Sequence, residues 1–186
     1  MANPHNPNNP IAVRLRSKGK LVANHVRDFK KIQDICDLFG FQVTCSEIAN
    51  GVFNYRGCEG ALDYVTKSVN IVDQNRKIDA GTKISVWWPR NIKKLNGKFV
   101  DKNPQETTWI NEIEQDDDVI LECPRKFSDR NDHLKGFHDG PKVRVVIPQY
   151  PKIRGYSFLG IYEIDMTESE KLNRAVWKRI AKEFVL

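Results

Sequence analysis

Two sets of residues in this chain have the types and spacing to act on a nucleic acid. The first interleaves flat aromatic rings with cations. Trp87-Trp88-Pro89-Arg90-Asn91-Ile92-Lys93-Lys94 sets two indoles ahead of three cations, and Lys98 and Lys102 extend the run. Further on, Lys142, Arg144, Lys152 and Arg154 stand between Pro141 and Gly155 with no acidic residue among them, and the stretch leads into Tyr156 and Phe158. Cations neutralise backbone phosphates, and aromatic faces stack bases that have left the helix. Arg90, Lys93, Lys94, Lys98, Arg144, Lys152 and Arg154 are therefore the candidate phosphate-binding residues. Aromatics are also common strand formers, so one of Trp87 and Trp88, which point to opposite faces of a strand, is expected in the core, and for Trp109, Tyr156 and Tyr162 taken singly the core reading is favoured over the functional one.

The second set is the loop Asp129-Arg-Asn-Asp-His133-Leu-Lys-Gly-Phe-His138-Asp139. Imidazole and carboxylate together bind divalent cations and activate water, as a metal-dependent nuclease requires. The spacing matches no motif with a defined mechanism, and polar loops collect these residue types anyway. Carboxylates at Glu112, Glu114, Asp116, Asp117, Asp118 and Glu122 read as a solvated turn. In Asp118-Val-Ile-Leu-Glu122-Cys-Pro-Arg-Lys126 the lysine follows the glutamate by four positions, whereas a strand needs two to bring both to one face. No Ser stands in a Gly-x-Ser-x-Gly elbow, and no Cys has a His near it in sequence. No catalytic residue, metal ligand or cofactor is assigned, and a small nuclease using His133 and His138 stays as the alternative.

The elements that must position these residues can be read from periodicity. Val22, Val26, Phe29, Ile32, Ile35, Cys36 and Phe39 recur at three- and four-residue steps and predict an amphipathic helix from Leu21 to Phe39, stopped by Gly40. Phe41 to Cys45 and Gly51 to Tyr55 read as short strands, and Gly60 to Val72 fits either type. From Lys83 onward the pattern is strands and turns: Ile84 to Trp88, a hairpin about Asn96-Gly97, Thr107 to Ile113, Val119 to Cys123, Val143 to Ile147 and Tyr156 to Ile164. Thr167 and Glu170 suggest a capping box, and Leu172, Ala175, Val176, Ile180 and Phe184 predict a closing helix over about 167–184. The fold class expected is α+β, a mostly antiparallel bent sheet or β-barrel flanked by an N-terminal and a C-terminal helix.

The chain has 186 residues, 30 Lys and Arg against 24 Asp and Glu, and a net charge of +6. With 40% hydrophobic residues it can bury a sizeable core, which excludes global disorder. Residues 1–12, opening on Asn- and Pro-rich sequence, are expected to be a flexible lead-in. Residues 13–186 form a single domain with its barrel core at about 80–166. No apolar run is long enough for a membrane span and no signal peptide is evident, so a soluble, cytoplasmic protein is expected. Cys36, Cys45, Cys58 and Cys123 are too widely spaced for paired metal ligation and read as ordinary thiols.

From Lys83 onward the chain resembles the PUA-like β-barrel superfamily, in particular the SRA-like modules of prokaryotic modification-dependent restriction endonucleases. The residues that carry the resemblance are Trp87-Trp-Pro-Arg90, Trp109-Ile-Asn-Glu112, Arg144-Val-Val-Ile147, Gly155-Tyr-Ser-Phe-Leu-Gly-Ile-Tyr-Glu-Ile164 and Val176-Trp-Lys-Arg-Ile180. The resemblance implies a module that grips duplex DNA and holds an extruded, often methylated, base between aromatic rings. It implies base-binding roles for Trp87, Trp88, Trp109 and Tyr156, and edge reading by Asn91, Asn111 and Asp117. The partner expected is duplex DNA, with a nuclease or NTPase domain in the same or a partner chain. The superfamily also accommodates RNA-binding members.

Overall fold

The computed structural model describes residues 6–40, 84–88, 111–114, 116–124, 133–138, 142–149 and 154–186 in full. It also describes the backbone at 2–3, 43–44, 61–65, 69–71, 76–78, 83, 92–95, 98–101, 109–110 and 139. The element order begins β1 (Ala2–Asn3), α1 (Pro10–Lys18), β2 (Lys20–Val22), α2 (Ile32–Phe39), β3 (Val43–Thr44), β4 (Ala61–Val65), β5 (Val69–Ile71) and β6 (Arg76–Ile78). It continues with β7 (Lys83–Trp87), β8 (Ile92–Leu95), β9 (Lys98–Asp101), β10 (Trp109–Ile113), β11 (Val119–Pro124), α3 (Lys135–Asp139) and β12 (Val143–Val146). The chain closes with β13 (Gly160–Ile164), α4 (Met166–Leu172), β14 (Ala175–Ala181) and β15 (Glu183–Val185).

The α+β expectation holds. Among the described residues the main sheet has nine strands in the order β4-β7-β12-β13-β14-β11-β10-β9-β8, antiparallel except for the β7–β12 pair. The hairpin about Asn96-Gly97 is present, with Leu95 opposite Lys98. No described helix is long and apolar enough to cross a membrane.

Both helix expectations are corrected. The N-terminal one is divided: Leu21 lies in β2, Phe29 forms an isolated bridge with Tyr156, and only Ile32–Phe39 is helical. The chain turns at Asn24, whose Oδ1 accepts from the Val26 N–H, and at His25, held in the left-handed region with φ 55°. Gly40 stops α2 as expected, with φ 78°. At the C-terminus the helix spans only Met166–Leu172, capped by Asp165 rather than Thr167, and Asn173 at φ 48° ends it. The rest of the apolar stripe is β14 and β15. Strand β14 is buried on both faces through Ala175, Val176 and Trp177, so it shows none of the alternation that marks a half-buried strand.

The expected lead-in is ordered where the structure describes it. Asn9 caps α1, its Oδ1 accepting from Ile11 and Ala12, while its Nδ2 donates to Asp34 and Asp37 of α2. Pro10 follows at the first helical position, where its missing N–H costs nothing.

Among the described residues the sheet is covered on both faces. One core joins Leu15, Phe29, Ile35, Phe39, Val86, Trp88, Val145, Phe158 and Phe184. The other joins Trp87, Ile113, Ile120, Val146, Tyr162 and Trp177. Adjacent Trp87 and Trp88 point to opposite faces, yet each is 1% exposed because both faces are packed.

Candidate nucleic-acid interface

Strand register determines which loops share an end of the sheet. Trp87 pairs with Val146, Val146 with Gly160, and Ile161 with Ala181. Val119 pairs with Lys178, Ile113 with Ile120 and with Phe99, and Leu95 with Lys98. The exit of β7 at Trp88, the β12–β13 connection, the exit of β14, the β10–β11 turn and the β8–β9 turn therefore all lie at one end. Of the expected phosphate-binding residues, Lys94 and Lys98 hold register positions at this end, Lys93 is one position further from it, and exposed Arg154 sits in the β12–β13 connection. Arg90, Asn91 and Lys152 lie outside the described residues.

A cavity of about 190 Å³ opens at the same end, lined by Ala23, Asn24, His25, Asp116, Asp117, Phe158, Leu159, Arg179 and Lys182. The acidic turn on its wall, expected to be solvated, is locked in place. Asp117 is 4% exposed with φ 63°, its Oδ2 lies 2.6 Å from His25 Nε2, and its carbonyl accepts from the Tyr162 hydroxyl. Burial holds that hydroxyl well above its ordinary range, so it stays a donor. Arg179 donates to the carbonyls of Asp116 and Leu159 and pairs with Asp118, tying the turn to β13 and β14. Sequence reading missed Arg179, which sits among the apolar residues then read as helix. The site thus offers one buried carboxylate, with Phe158 and Leu159 almost wholly buried behind it and exposed Lys182 and Asp116 at its rim.

A protein-family model, the SRA or SET and RING associated domain, matches residues 15–186. The chain belongs to this family. Among solved structures it is similar in fold to "The 5-Hydroxymethylcytosine-Specific Restriction Enzyme AbaSI", with a TM-score of 0.50 and 21% identity. That similarity covers 97% of this chain and 45% of the other, so this SRA domain spans less than half of that chain's length. No curated protein sequence matches.

Several residues expected at the interface of this SRA domain serve its interior instead. Arg144, expected to hold phosphate, has a side chain 13% exposed that pairs with Glu122 at 2.8 Å. Its guanidinium lies 4.0 Å from the Trp177 ring centroid, 4.8 Å from Trp87 and 5.5 Å from Phe137. Trp177 Nε1 donates to the same Glu122 oxygen at 3.0 Å. The cause is register: Arg144 and Trp87 lie on the inner face of neighbouring strands, where a cation needs both a counter-charge and aromatic cover. Trp87, Trp88, Tyr156 and Asn111 are buried, so in this conformation their side chains build the scaffold. The Trp109 side chain lies outside the described residues. Of the three expected edge readers, Asp117 alone lines the cavity among the described residues.

His138 lies in the last turn of α3 with its Nε2 3.8 Å from Glu170, and His133 lies just before α3. The side chains of Asp129, Asp132 and Asp139 lie outside the described residues. Among the described ones no three His, Cys, Asp or Glu come together to hold a metal ion.

Proposed function

We propose that this SRA domain is a DNA-binding recognition module that reads a modified base, as part of a prokaryotic restriction or defence system. The observation that carries the reading is the family match over residues 15–186, joined to a cavity with a buried carboxylate on its wall at the end of the sheet where Lys94, Lys98 and Arg154 stand. Arg90, Lys93, Lys94, Lys98, Lys152 and Arg154 capture backbone phosphates, which brings the duplex against this end of the sheet. An extruded base enters beside Phe158 and Leu159. There Asp117 accepts from an exocyclic amine, the pairing that a carboxylate makes with cytosine. Cleavage is the work of another domain, in the same or a partner chain.

Equilibrium binding to matched duplexes carrying cytosine, 5-methylcytosine, 5-hydroxymethylcytosine or 6-methyladenine tests this reading. A preference of tenfold or more for one modified duplex, about 1.4 kcal/mol, is expected. Asp117→Asn should weaken binding to the cytosine, 5-methylcytosine and 5-hydroxymethylcytosine duplexes alike, because all three bases carry the exocyclic amine and the amide nitrogen presents donors to it. Equal affinity for all four duplexes, or stronger binding to RNA of matched sequence, overturns it.

A further inference from the structure

The whole-chain charge excess has a single address. Residues 10–31 contain Arg14, Arg16, Lys18, Lys20, Arg27, Lys30 and Lys31 against the one acid Asp28, an excess of +6 equal to that of the entire protein. The remaining residues balance. Two of these seven cations are committed to the fold: Arg16 donates to the carbonyls of Pro7, Asp37 and Leu38, and Lys20 pairs with Glu183. The other five, Arg14, Lys18, Arg27, Lys30 and Lys31, are exposed.

The segment's only acid turns inward. Asp28 is half-buried and its Oδ2 accepts from the Phe158 N–H at 2.9 Å. Around it, Arg14 donates to the Asp28 carbonyl and Arg27 to the Arg154 carbonyl, one N–H each of five-donor forks. Lys18, one turn along α1 from Arg14, acts on the same carboxylate through its field. Like charges gathered at this density repel unless a polyanion neutralises them.

The segment is also fastened to the cavity rim. The Ala23 N–H donates to the Lys182 carbonyl, and Phe29 and Tyr156 exchange both backbone hydrogen bonds. Gly155 permits that closeness, since a Cβ there would lie 2.2 Å from the Phe29 carbonyl oxygen. Arg27 is thus joined to Arg154 at the end of the sheet where the cavity opens, and exposed Lys30 and Lys31 follow the fastened Phe29 in sequence.

We propose that Arg14, Lys18, Arg27, Lys30 and Lys31 form a phosphate track that grips the duplex beyond the base held in the cavity. The proposal rests on the DNA-binding reading above and assigns a role to the N-terminal segment. Phosphate contacts fix register and orientation without reading sequence, so the track adds affinity to every duplex alike.

The test is a salt titration of duplex binding by the full chain and by Arg27→Gln/Lys30→Gln/Lys31→Gln. Each lost phosphate contact removes about 0.9 from the slope of log K against log salt, so the triple variant should flatten the line by about 2.7. Its ratio of affinities for modified and unmodified duplex should stay that of the parent. The charge-retaining variant Arg27→Lys/Lys30→Arg/Lys31→Arg should keep the parent slope, which separates charge from shape. A triple variant with the parent slope overturns the track while leaving the DNA reading intact. A flattened slope in a protein with no preference among duplexes keeps the track and removes modified-base reading. Absence of any duplex binding by the parent at low salt overturns both.

Discussion

His25 and Asp117 meet at 2.6 Å across the mouth of the cavity, and each holds a left-handed backbone, φ 55° and φ 63°. Such a conformation costs a residue with a side chain on the order of 1 kcal/mol, so the contact holds together two segments that are each locally strained. Two substitutions separate strain from contact. His25→Ala loses the pair and keeps the strain, whereas His25→Gly loses the pair and relieves the strain. The expected outcome is a melting temperature lower for His25→Ala than for His25→Gly, with the glycine variant close to the parent. The reverse order in a calorimetric scan would show that the backbone at residue 25 carries no strain.

The second prediction concerns Gly155 and Gly160, both at φ 149°. A Cβ at Gly155 would lie 2.2 Å from the Phe29 carbonyl oxygen and 2.7 Å from Arg27 Cδ, and one at Gly160 would lie 2.8 Å from the Ala181 carbonyl oxygen. The backbone oxygens are held by pairing and cannot retreat cheaply. Gly155→Ala and Gly160→Ala should each cost about 2–4 kcal/mol, in the upper range of single substitutions. Gly136→Ala, in helix α3 with nothing within 4 Å of its new Cβ, should instead stabilise by up to about 1 kcal/mol. Urea midpoints at constant slope check all three.

The parts of the fold legible in the sequence were those with local chemistry. Asn96-Gly97 marked its hairpin because both residues tolerate positive φ, and Gly40 marked the end of α2 for the same reason. What failed was periodicity wherever an element is buried all round. In Ala175-Val176-Trp177 nothing alternates, so the strand mimicked a helix. At the site, Arg144 was read as a phosphate ligand from its neighbours in sequence. Its partners are Glu122 and Trp177, which only the register of β12, β13, β14 and β11 brings beside it. Asp117 was legible only as one carboxylate in an acidic turn. The basic run from Arg14 to Lys31 was visible in composition and was eclipsed by the apolar spacing in the same residues.

The Glu122–Arg144 pair supplies a third prediction. Removing one member of a buried pair leaves the other charge uncompensated, at about 3–5 kcal/mol, whereas removing both costs less than the two single losses together. Arg144→Met should therefore destabilise strongly, Glu122→Gln should strand the guanidinium beside Trp177, and the double variant should recover part of the loss. A double-mutant cycle from urea unfolding reads the coupling directly, and strict additivity would remove the pair from the account. Because the Arg144 side chain is only 13% exposed, Glu122→Gln/Arg144→Met should leave the salt dependence of DNA binding unchanged. A flattened slope would return Arg144 to the phosphate-binding set.

The last prediction follows from Cys36, which is 1% exposed on the buried face of α2. Desolvation, with a contribution from the neighbouring Asp37 charge, pushes its thiol up from 9.0 to about 12. At neutral pH the side chain is then a thiol rather than the thiolate that alkylating reagents need, so labelling at Cys36 should proceed only through unfolding. The same shift sets the sign of a pH effect. The unfolded chain releases the proton near pH 9 and the folded chain holds it to about 12, so the contribution is full below pH 9 and is lost as pH rises through that window. Replacing Cys36 with Ala removes this proton linkage and leaves a fixed packing cost. The stability difference between the parent and Cys36→Ala should therefore narrow between pH 8 and pH 11, by up to about 1.4 kcal/mol per pH unit above 9. Urea unfolding at those pH values measures it, and a difference that stays constant would show that the thiol titrates alike in both states.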